Sequence, residues 1–410
     1  MTGKEKEMIK HRFLLKEAVS KNLYRSEYIM KRVFALFYCF LIVMVILSAC
    51  SRSDLTSLPE DEIDLFLPEA DLPVFPVVLE DGPVFYVDAE RGNDINPGTE
   101  EEPWATIQHA ADLAKPGDTI IVKPGNYGRL VITKGGTPGK YITFRGENIP
   151  DQSHIDKETL FDPANPVHQK GNPEKNAVVA GIRITPVWNS TEPVGYIQIK
   201  NFEITQIDKA QRSGIQLEYT EDIQIMNNFI HDINPTQHNA NGINGTSGAD
   251  KKNRRILVKN NTLFRVMGIA ISAMGEEWLI EGNEISHGID IRTDIPPGDE
   301  GFWQAGDTDA IRFFGYGHVI RNNYIHDYIL EENYGNPHMD AFQTFSNYPE
   351  TQNASRILIY NNYVENMGGQ IFMCRDKSET DGGRDAINNI IIRDNILIGS
   401  GATGVMFGEY

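Results

Sequence analysis

The chain has 410 residues, 40% of them hydrophobic, and a formal net charge of -19 at pH 7. This composition supports a large buried core, while the excess of carboxylates argues against nucleic acid and anionic bilayers as binding partners. Only three cysteines are present, one of them inside a signal-like segment, so the sequence excludes a disulfide framework as its source of stability.

The N-terminal region has the pattern of an export signal. Residues 30–49 begin with Met-Lys-Arg, continue with an apolar run and end in small residues before Cys50. The ending Leu-Ser-Ala-Cys resembles a bacterial lipobox, which implies that Cys50 is lipidated and anchors the mature protein in a membrane. We therefore expect an exported lipoprotein of the outer membrane or cell surface, with the periplasmic side as an alternative. An uncleaved transmembrane anchor is the competing interpretation.

Two segments flank this signal. Residues 1–29 are interpreted either as an over-extended start, with Met30 as the true first residue, or as a cytoplasmic flank. Residues 50–82 place several prolines among Asp and Glu, which predicts an extended acidic tether between the membrane and the folded domain.

The folded domain is predicted to span residues 83–410, and its first block predicts a short helix between two strands. A solenoid needs such a helix to close its first coil against water. Apolar residues recur at helical spacing until a Pro-Gly pair ends the pattern, at Ile107, Ala110, Ala111, Ala114 and Pro116-Gly117.

This block resembles the N-terminal cap of bacterial right-handed parallel β-helix proteins of the pectate-lyase-like superfamily, including the family-nine pectate lyases. Together with the coils behind it, the resemblance covers residues from about 84 to 410. It implies a polysaccharide as substrate. Fold and activity are separate questions, because one fold hosts many chemistries.

Residues from about 151 to 195 interrupt the coil pattern with several Pro and His residues. They predict a long loop excursion from one coil. Within it, we expect His154 and His168 to be solvated loop residues and not metal ligands, since no partner stands at ligand spacing.

A line of alternating apolar residues, then Asn, then a β-branched or aromatic residue recurs through the rest of the chain. Short strands of this kind cannot bury their apolar side alone, so neighbouring repeats must stack. The sequence predicts an all-β, single-stranded right-handed parallel β-helix, which we expect to be monomeric. The repeated Asn side chains are predicted to form an internal ladder, at Asn228, Asn261, Asn283, Asn323, Asn362 and Asn395.

A second short sequence motif, the second repeated line, recurs after each Asn turn. In two successive coils the first residue of this motif is Asp, at Asp309 and Asp340. Neighbouring coils lie about 4.8 Å apart, so two carboxylates there repel unless they share a proton or a cation. The alternative is that both Asp side chains cap turns. The candidate site also takes in Asp307, Arg312, His338 and Gln343, and the first positions of the line are predicted to be Ser213, Asn241, Met267, Asp309, Asp340 and Gly369.

The resemblance to family-nine pectate lyases gives these residues roles. Asp309 and Asp340 match two calcium-binding Asp positions, which implies a calcium ion held by them and by Asp307. Calcium would hold a substrate carboxylate and acidify its α-proton. Met339 and Gln343 replace two further calcium carboxylates of that family.

The lysine base of that family is also replaced, since Phe372 falls at its position. Arg375 and Lys377 follow closely and are the candidates for a displaced base. His338 is a candidate proton shuttle. Trp303 and Tyr334 are candidate substrate-binding aromatics beside the site.

We therefore predict a carbohydrate-active enzyme that cleaves an acidic, uronate-containing polysaccharide, leaning to calcium-assisted β-elimination. Two alternatives stay open. Asp309 and Asp340 are also suited to act as the paired carboxylates of a glycoside hydrolase, and the chain is also suited to be a non-catalytic polysaccharide-binding protein. The chain ends inside a predicted strand, which indicates an exposed edge and a truncated C terminus.

Overall fold

The computed structural model describes residues 72–79, 82–164, 167–205, 213–233, 240–246, 248, 250–290, 306–333, 337–346, 353–376 and 387–409. The chain divides into two compact units, Met1–Leu67 and Pro68–Tyr410, and all described residues belong to the second. No helix in these ranges is long and apolar enough to cross a membrane. Cys50, Trp303, Tyr334 and Lys377 lie outside the described residues.

The second unit is a right-handed parallel β-helix whose coils each present three faces. Successive strands along the chain go to face 1, face 2 and face 3 in turn, and every strand pairs in parallel with its equivalent one coil away. β16 runs through the corner between faces 1 and 2 and joins them into one sheet. The predicted fold is therefore confirmed.

Face 1 carries the candidate site. Its strands are β4 (Leu130–Ile132), β7 (Ile182–Ile184), β10 (Ser213–Glu218), β13 (Asn241–Thr246), the first half of β16 (Ile269–Glu281), β18 (Ile311–Tyr316), β21 (Phe342–Phe345), β24 (Phe372–Asp376) and β27 (Val405–Glu409).

Faces 2 and 3 complete each coil. Face 2 consists of β1 (Val84–Val87), β2 (Thr119–Val122), β5 (Ile142–Gly146), β8 (Val194–Lys200), β11 (Thr220–Met226), β14 (Arg254–Lys259), the second half of β16, β19 (Val319–Arg321), β22 (Ser355–Tyr360) and β25 (Asn388–Arg393). Face 3 consists of β3 (Gly125–Tyr127), β6 (Ala177–Val179), β9 (Glu203–Ile204), β12 (Phe229–Ile233), β15 (Thr262–Val266), β17 (Glu284–Ser286), β20 (Tyr324–Tyr328), β23 (Tyr363–Met367) and β26 (Ile396–Ser400).

The chain turns from face 2 to face 3 through one residue with a positive φ angle. Asn and Gly tolerate this left-handed conformation better than other residues, which explains why the first residue of the repeated pair is so often Asn. The row consists of Asn201, Asn227, Asn260, Gly282, Asn322, Asn361 and Asp394, with φ between 54° and 68°.

The residue after each of these corners forms the predicted ladder. Asn261 donates from Nδ2 to the Ile225 carbonyl oxygen at 3.0 Å and to Asn283 Oδ1 at 3.0 Å, and its own Oδ1 accepts from Asn228 Nδ2 at 2.9 Å. The same bonds repeat through Asn323, Asn362 and Asn395. The side chains from Asn228 to Asn362 are at most 2% exposed, so the ladder lies inside the solenoid as predicted.

The predicted capping helix is also present, as α1 (Ile107–Leu113), which buries Ile107, Ala110 and Ala111 against the first coil. Thr106 caps it, accepting from the His109 N–H at 3.2 Å. A 3₁₀ helix, η1 (Leu330–Glu332), follows β20.

The loop excursion is shorter than the predicted span of about 151–195. It occupies residues 147–176 between β5 and β6, because β6, β7 and the start of β8 lie within the predicted span. Its histidines are not solvated: His154 Nε2 lies 2.8 Å from Glu203 Oε1, and His168 Nδ1 lies 3.4 Å from Asp232 Oδ1. The prediction was wrong because both partners are distant in sequence.

Replacing Asn261 by Ala should lower the free energy of unfolding by about 3 kcal/mol, since it leaves buried partners in two coils without hydrogen bonds. Asn260→Gly, one residue away at the exposed left-handed corner, is the matched control and should change stability by less than about 1 kcal/mol. Denaturant unfolding of both variants measures the difference. Equal effects would contradict a stabilising ladder.

Folding also depends on pH through His318, which is fully buried. Its Nε2–H donates to the Phe314 carbonyl oxygen at 2.9 Å, and its Nδ1 accepts from the Trp278 N–H at 3.2 Å. Burial lowers the pKa of His318 from 6.5 to about 4. The folded protein therefore keeps this ring neutral at pH values where the unfolded chain protonates it.

As the pH falls from about 6.5 to about 4, the unfolded state gains this proton first, and the folded state loses about 3 kcal/mol of stability from this residue. His318→Gln should be less stable at pH 7 but should lose less stability over that range. Unfolding curves at pH 7, 5.5 and 4 test this. Parallel pH profiles for the two proteins would contradict it.

Candidate functional site

The structure brings the two predicted carboxylates side by side at the start of face 1. Asp309 and Asp340 precede β18 and β21, and the Ala310 N–H donates to the Asp340 carbonyl oxygen at 2.9 Å. The Asp340 N–H also donates to Asp309 Oδ1 at 3.1 Å. Both side chains are buried, with exposures of 0% and 2%.

Arg312 lies between the carboxylates of Asp309 and Asp307. Its Nη2 is 2.5 Å from Asp309 Oδ2 and 2.6 Å from Asp307 Oδ2, and its guanidinium lies over the Phe345 ring at 5.6 Å. The Nε of Arg312 is buried without a hydrogen-bond partner. Part of the side chain, 12%, faces solvent. Arg312 is thus held in place by two carboxylates, with a small part of its side chain exposed.

Gln343 and His338 complete the site. Gln343 donates from Nε2 to Asp340 Oδ2 at 2.8 Å, and its Oε1 is buried without a partner. His338 Nδ1 lies 3.7 Å from Asp307 Oδ1, and 65% of the His338 side chain is exposed. His338 and Asp307 are therefore the accessible groups of the cluster, at 65% and 35% exposure.

Burial dominates the electrostatics of this cluster. It raises the pKa of the Asp309 carboxyl well above its ordinary value; Arg312 acts to lower it and Asp340 to raise it further. Burial also raises the pKa of Asp340, although the Gln343 hydrogen bond opposes this. Burial lowers the pKa of Arg312, but the carboxylates of Asp309 and Asp307 outweigh burial and raise it. We infer that Arg312 stays charged and that burial favours the protonated form of the Asp309–Asp340 pair.

The register of the second repeated line differs from the prediction in two coils. Ile269, not Met267, aligns with Asp309, and Gln370, not Gly369, aligns with Asp340. Arg312 and Gln343 point outward from face 1. They belong to a lateral row of Arg183, Gln216, Asn244, Ser272, Arg312, Gln343 and Met373.

The first residue of the second repeated line also has a structural role. Ser213 Oγ donates to Gln216 Oε1 at 2.9 Å, three residues along the chain, as Asp340 bonds Gln343 and Asp309 bonds Arg312. This pairing fixes the start of the strand in several coils. Among the described residues, this pairing involves a buried carboxylate only in the coils of Asp309 and Asp340.

Two other residues of the sequence prediction, Arg375 and Phe372, lie outside the Asp309–Arg312 cluster. Arg375 pairs in register with Phe345, so it lies one coil beyond the aromatic side chain under Arg312. Phe372 is an internal core residue in register with Phe342 and Val405, and its ring lies near those of Phe313 and Phe407, so it does not face the site.

The described donors do not fit a calcium ion. Calcium prefers six to eight oxygen ligands. Here Arg312 contacts Asp307 and Asp309, and Gln343 and a backbone N–H engage other oxygens of the pair. The positive charge between the carboxylates is that of the guanidinium.

Residues 85–275 match the family model described as Pel9A-like, right handed beta helix region. This match agrees with the β-helix architecture of these residues. The matched residues end before Asp307, so the match covers the fold but not the candidate site.

One curated relative shares a short stretch of sequence. The chain is 40% identical over 72 residues to the uncharacterized protein YwoF of Bacillus subtilis (strain 168), and this stretch covers 17% of the chain and 15% of YwoF.

Several solved structures share the fold. Alginate lyase from Paenibacillus sp. str. FPU-7 matches at 16% identity and a TM-score of 0.46, over 72% of this chain and 96% of that one. A lacto-N-biosidase from Eubacterium ramulus matches at 14% identity and 0.41, over 80% and 68%. Pectate lyase Pel9A matches at 12% identity and 0.32, over 79% and 77%.

Arg312→Met should lower the free energy of unfolding by about 3–5 kcal/mol, because it leaves the buried Asp309 without its cation. The loss should grow from pH 5 to pH 8, since the pKa of Asp309 rises further in the variant and ionisation then opposes folding. Chemical unfolding at both pH values is the measurement.

Arg183→Met is the matched control. Arg183 occupies the same lateral row and pairs with Glu218 at 2.7 Å, but both side chains are well exposed, at 41% and 30%. Its loss should cost about 0–1 kcal/mol at either pH. A pH-independent or equally small effect of Arg312→Met would contradict the assigned charge cluster.

Proposed function

We propose that this protein is a carbohydrate-active enzyme that cleaves an acidic, uronate-containing polysaccharide by β-elimination. The observation that carries the proposal is the fixed side chain of Arg312, which is tied to Asp307 and Asp309 and 12% exposed, together with the accessible His338 beside Asp307. A guanidinium held in a fixed position binds carboxylates well.

In this proposal, Arg312 binds the uronate carboxylate and stabilises the negative charge that develops there when the adjacent C–H bond is broken. His338 in its neutral form accepts the C5 proton, with Asp307 orienting the imidazole. The C5–H electrons form the C4–C5 double bond while the C4–O bond breaks. The leaving oxygen takes a proton from solvent, so no water adds to the sugar.

Asp309 and Asp340 are positioning residues in this scheme, because they are buried and act through Arg312 and Gln343. The sequence prediction placed both at the reacting centre; the proposal moves that centre to the accessible groups, His338, Asp307 and the edge of Arg312.

A second candidate is glycoside hydrolysis. The raised pKa of Asp309, caused mainly by burial, favours the protonated form that a general acid needs. Its full burial argues against direct contact with a glycosidic oxygen. A non-catalytic binding protein is the remaining alternative.

One assay separates these functions. The protein should be incubated with pectate, alginate, rhamnogalacturonan and neutral polysaccharides, with chelator or with added calcium. Elimination produces an unsaturated product that absorbs ultraviolet light, whereas hydrolysis produces only a new reducing end. We expect an ultraviolet signal on at least one uronate polymer that persists in chelator.

His338→Gln should lower kcat by about 100-fold or more, because it removes the base. Arg312→Lys should mainly weaken kcat/KM, since Lys lacks the planar fork. Arg183→Gln, in the same lateral row, is the control. Reducing ends without ultraviolet absorbance would favour the hydrolase. Activity that chelator abolishes and calcium restores would favour the calcium-assisted elimination, and no product from any polymer would favour the binding protein.

A further inference from the structure

A second polar cluster lies on the outer side of face 3. Nε2 of His154, in the loop excursion, is 2.8 Å from Glu203 Oε1, and Nε2 of His231 is 2.9 Å from the same oxygen. The three potential ligand atoms lie within 4.8 Å of one another. Glu203 in β9 and His231 in β12 are fully buried.

Neighbouring groups fix the orientation of these side chains. Glu203 Oε2 accepts from the Asn172 N–H at 2.9 Å and from Asn176 Nδ2 at 2.8 Å, which directs Oε1 towards the two imidazoles. His231 Nδ1 lies 2.9 Å from Asp232 Oδ2. In metal sites, the ring nitrogen that does not bind the metal commonly donates a hydrogen bond to a carboxylate, which orients the imidazole.

Hydrogen bonding alone explains this cluster less completely than a bound metal ion would. Both Nε2 atoms must carry protons to donate to the one oxygen of Glu203, while His154 Nδ1 is buried without a partner. A metal ion would replace the two shared protons and use the lone pairs of both rings. Ligands of a tetrahedral zinc ion lie about 3.3 Å apart, so separations of 2.8 Å and 2.9 Å need to widen by only about 0.5 Å.

We propose that His154, Glu203 and His231 bind one divalent transition metal ion of the zinc class, with a fourth position open to water. Two imidazoles and one carboxylate suit zinc, cobalt or nickel, whereas calcium and magnesium prefer oxygen ligands alone. The ion joins an excursion residue to two strands of face 3, so it clamps residues 147–176 onto the β-helix. This site is independent of the proposed activity.

The excursion has other contacts with face 3, so its folding does not depend on the ion alone. Lys157 Nζ lies 5.7 Å from the centres of the Phe229 and Phe264 rings. Arg265 donates to the Thr159 carbonyl oxygen. Metal removal should therefore loosen the excursion and leave the coils folded.

The test uses tag-free protein that has been stripped with chelator and titrated with Co²⁺ and then Zn²⁺. We expect one Co²⁺ per chain with the intense visible absorption of a four-coordinate ion, displacement of Co²⁺ by Zn²⁺, and a higher Tm with metal. His154→Ala should weaken Zn²⁺ binding by at least about 100-fold, because it removes one of three ligands. Glu203→Gln should do the same.

His168→Ala is the matched control, since His168 lies in the same excursion and contacts Asp232 without being a proposed ligand. It should bind Zn²⁺ within about 10-fold of the wild type. Circular dichroism shows whether each variant is folded, and His154→Ala decides if Glu203→Gln does not fold. Folded wild-type protein without a four-coordinate Co²⁺ spectrum, or unchanged Zn²⁺ affinity in His154→Ala, would overturn the proposal.

Discussion

Stacking of the coils depends on one repeated pair of residues. The first adopts a left-handed conformation that ends face 2, and the second donates and accepts hydrogen bonds inside the solenoid. Because each ladder Asn bonds the equivalent residue in the next coil, the ladder fixes how neighbouring coils align. That alignment brings together groups from successive coils, such as the Asp340 N–H and the Asp309 carboxylate, which are hydrogen-bonded at 3.1 Å.

The sequence predicted the repeating part of this architecture because local rules determine it. The spacing of Asn residues, the helical pattern from Ile107 and the apolar alternation each have one structural solution, and all agree. Register was harder to predict. In the coil of Ile269, Met267 precedes the strand and pairs with Ile289, so Ile269 takes the position equivalent to Asp309.

The sequence predicted which residues form the candidate site but not which of them are exposed. Two Asp residues in successive coils indicated a cluster, and Arg312 and Gln343 join it as outward neighbours three residues later. Burial depends on packing from other coils, so the sequence did not show that Asp309 and Asp340 are enclosed. The His154–Glu203–His231 cluster was missed because its members come from an excursion and two coils, with no common spacing.

Charge balance connects these observations to function. Two carboxylates, those of Asp307 and Asp309, hold one largely buried guanidinium, and the exposed groups beside it are His338 and Asp307. Recognition of an anionic sugar is the central claim, and equilibrium binding tests it most directly. Using His338→Gln to prevent turnover, calorimetry should compare a uronate oligosaccharide with its methyl ester. We predict that the acid binds at least about 10-fold more tightly and that adding Arg312→Met removes this preference. Equal affinity for acid and ester, or a preference that survives the loss of Arg312, would contradict it.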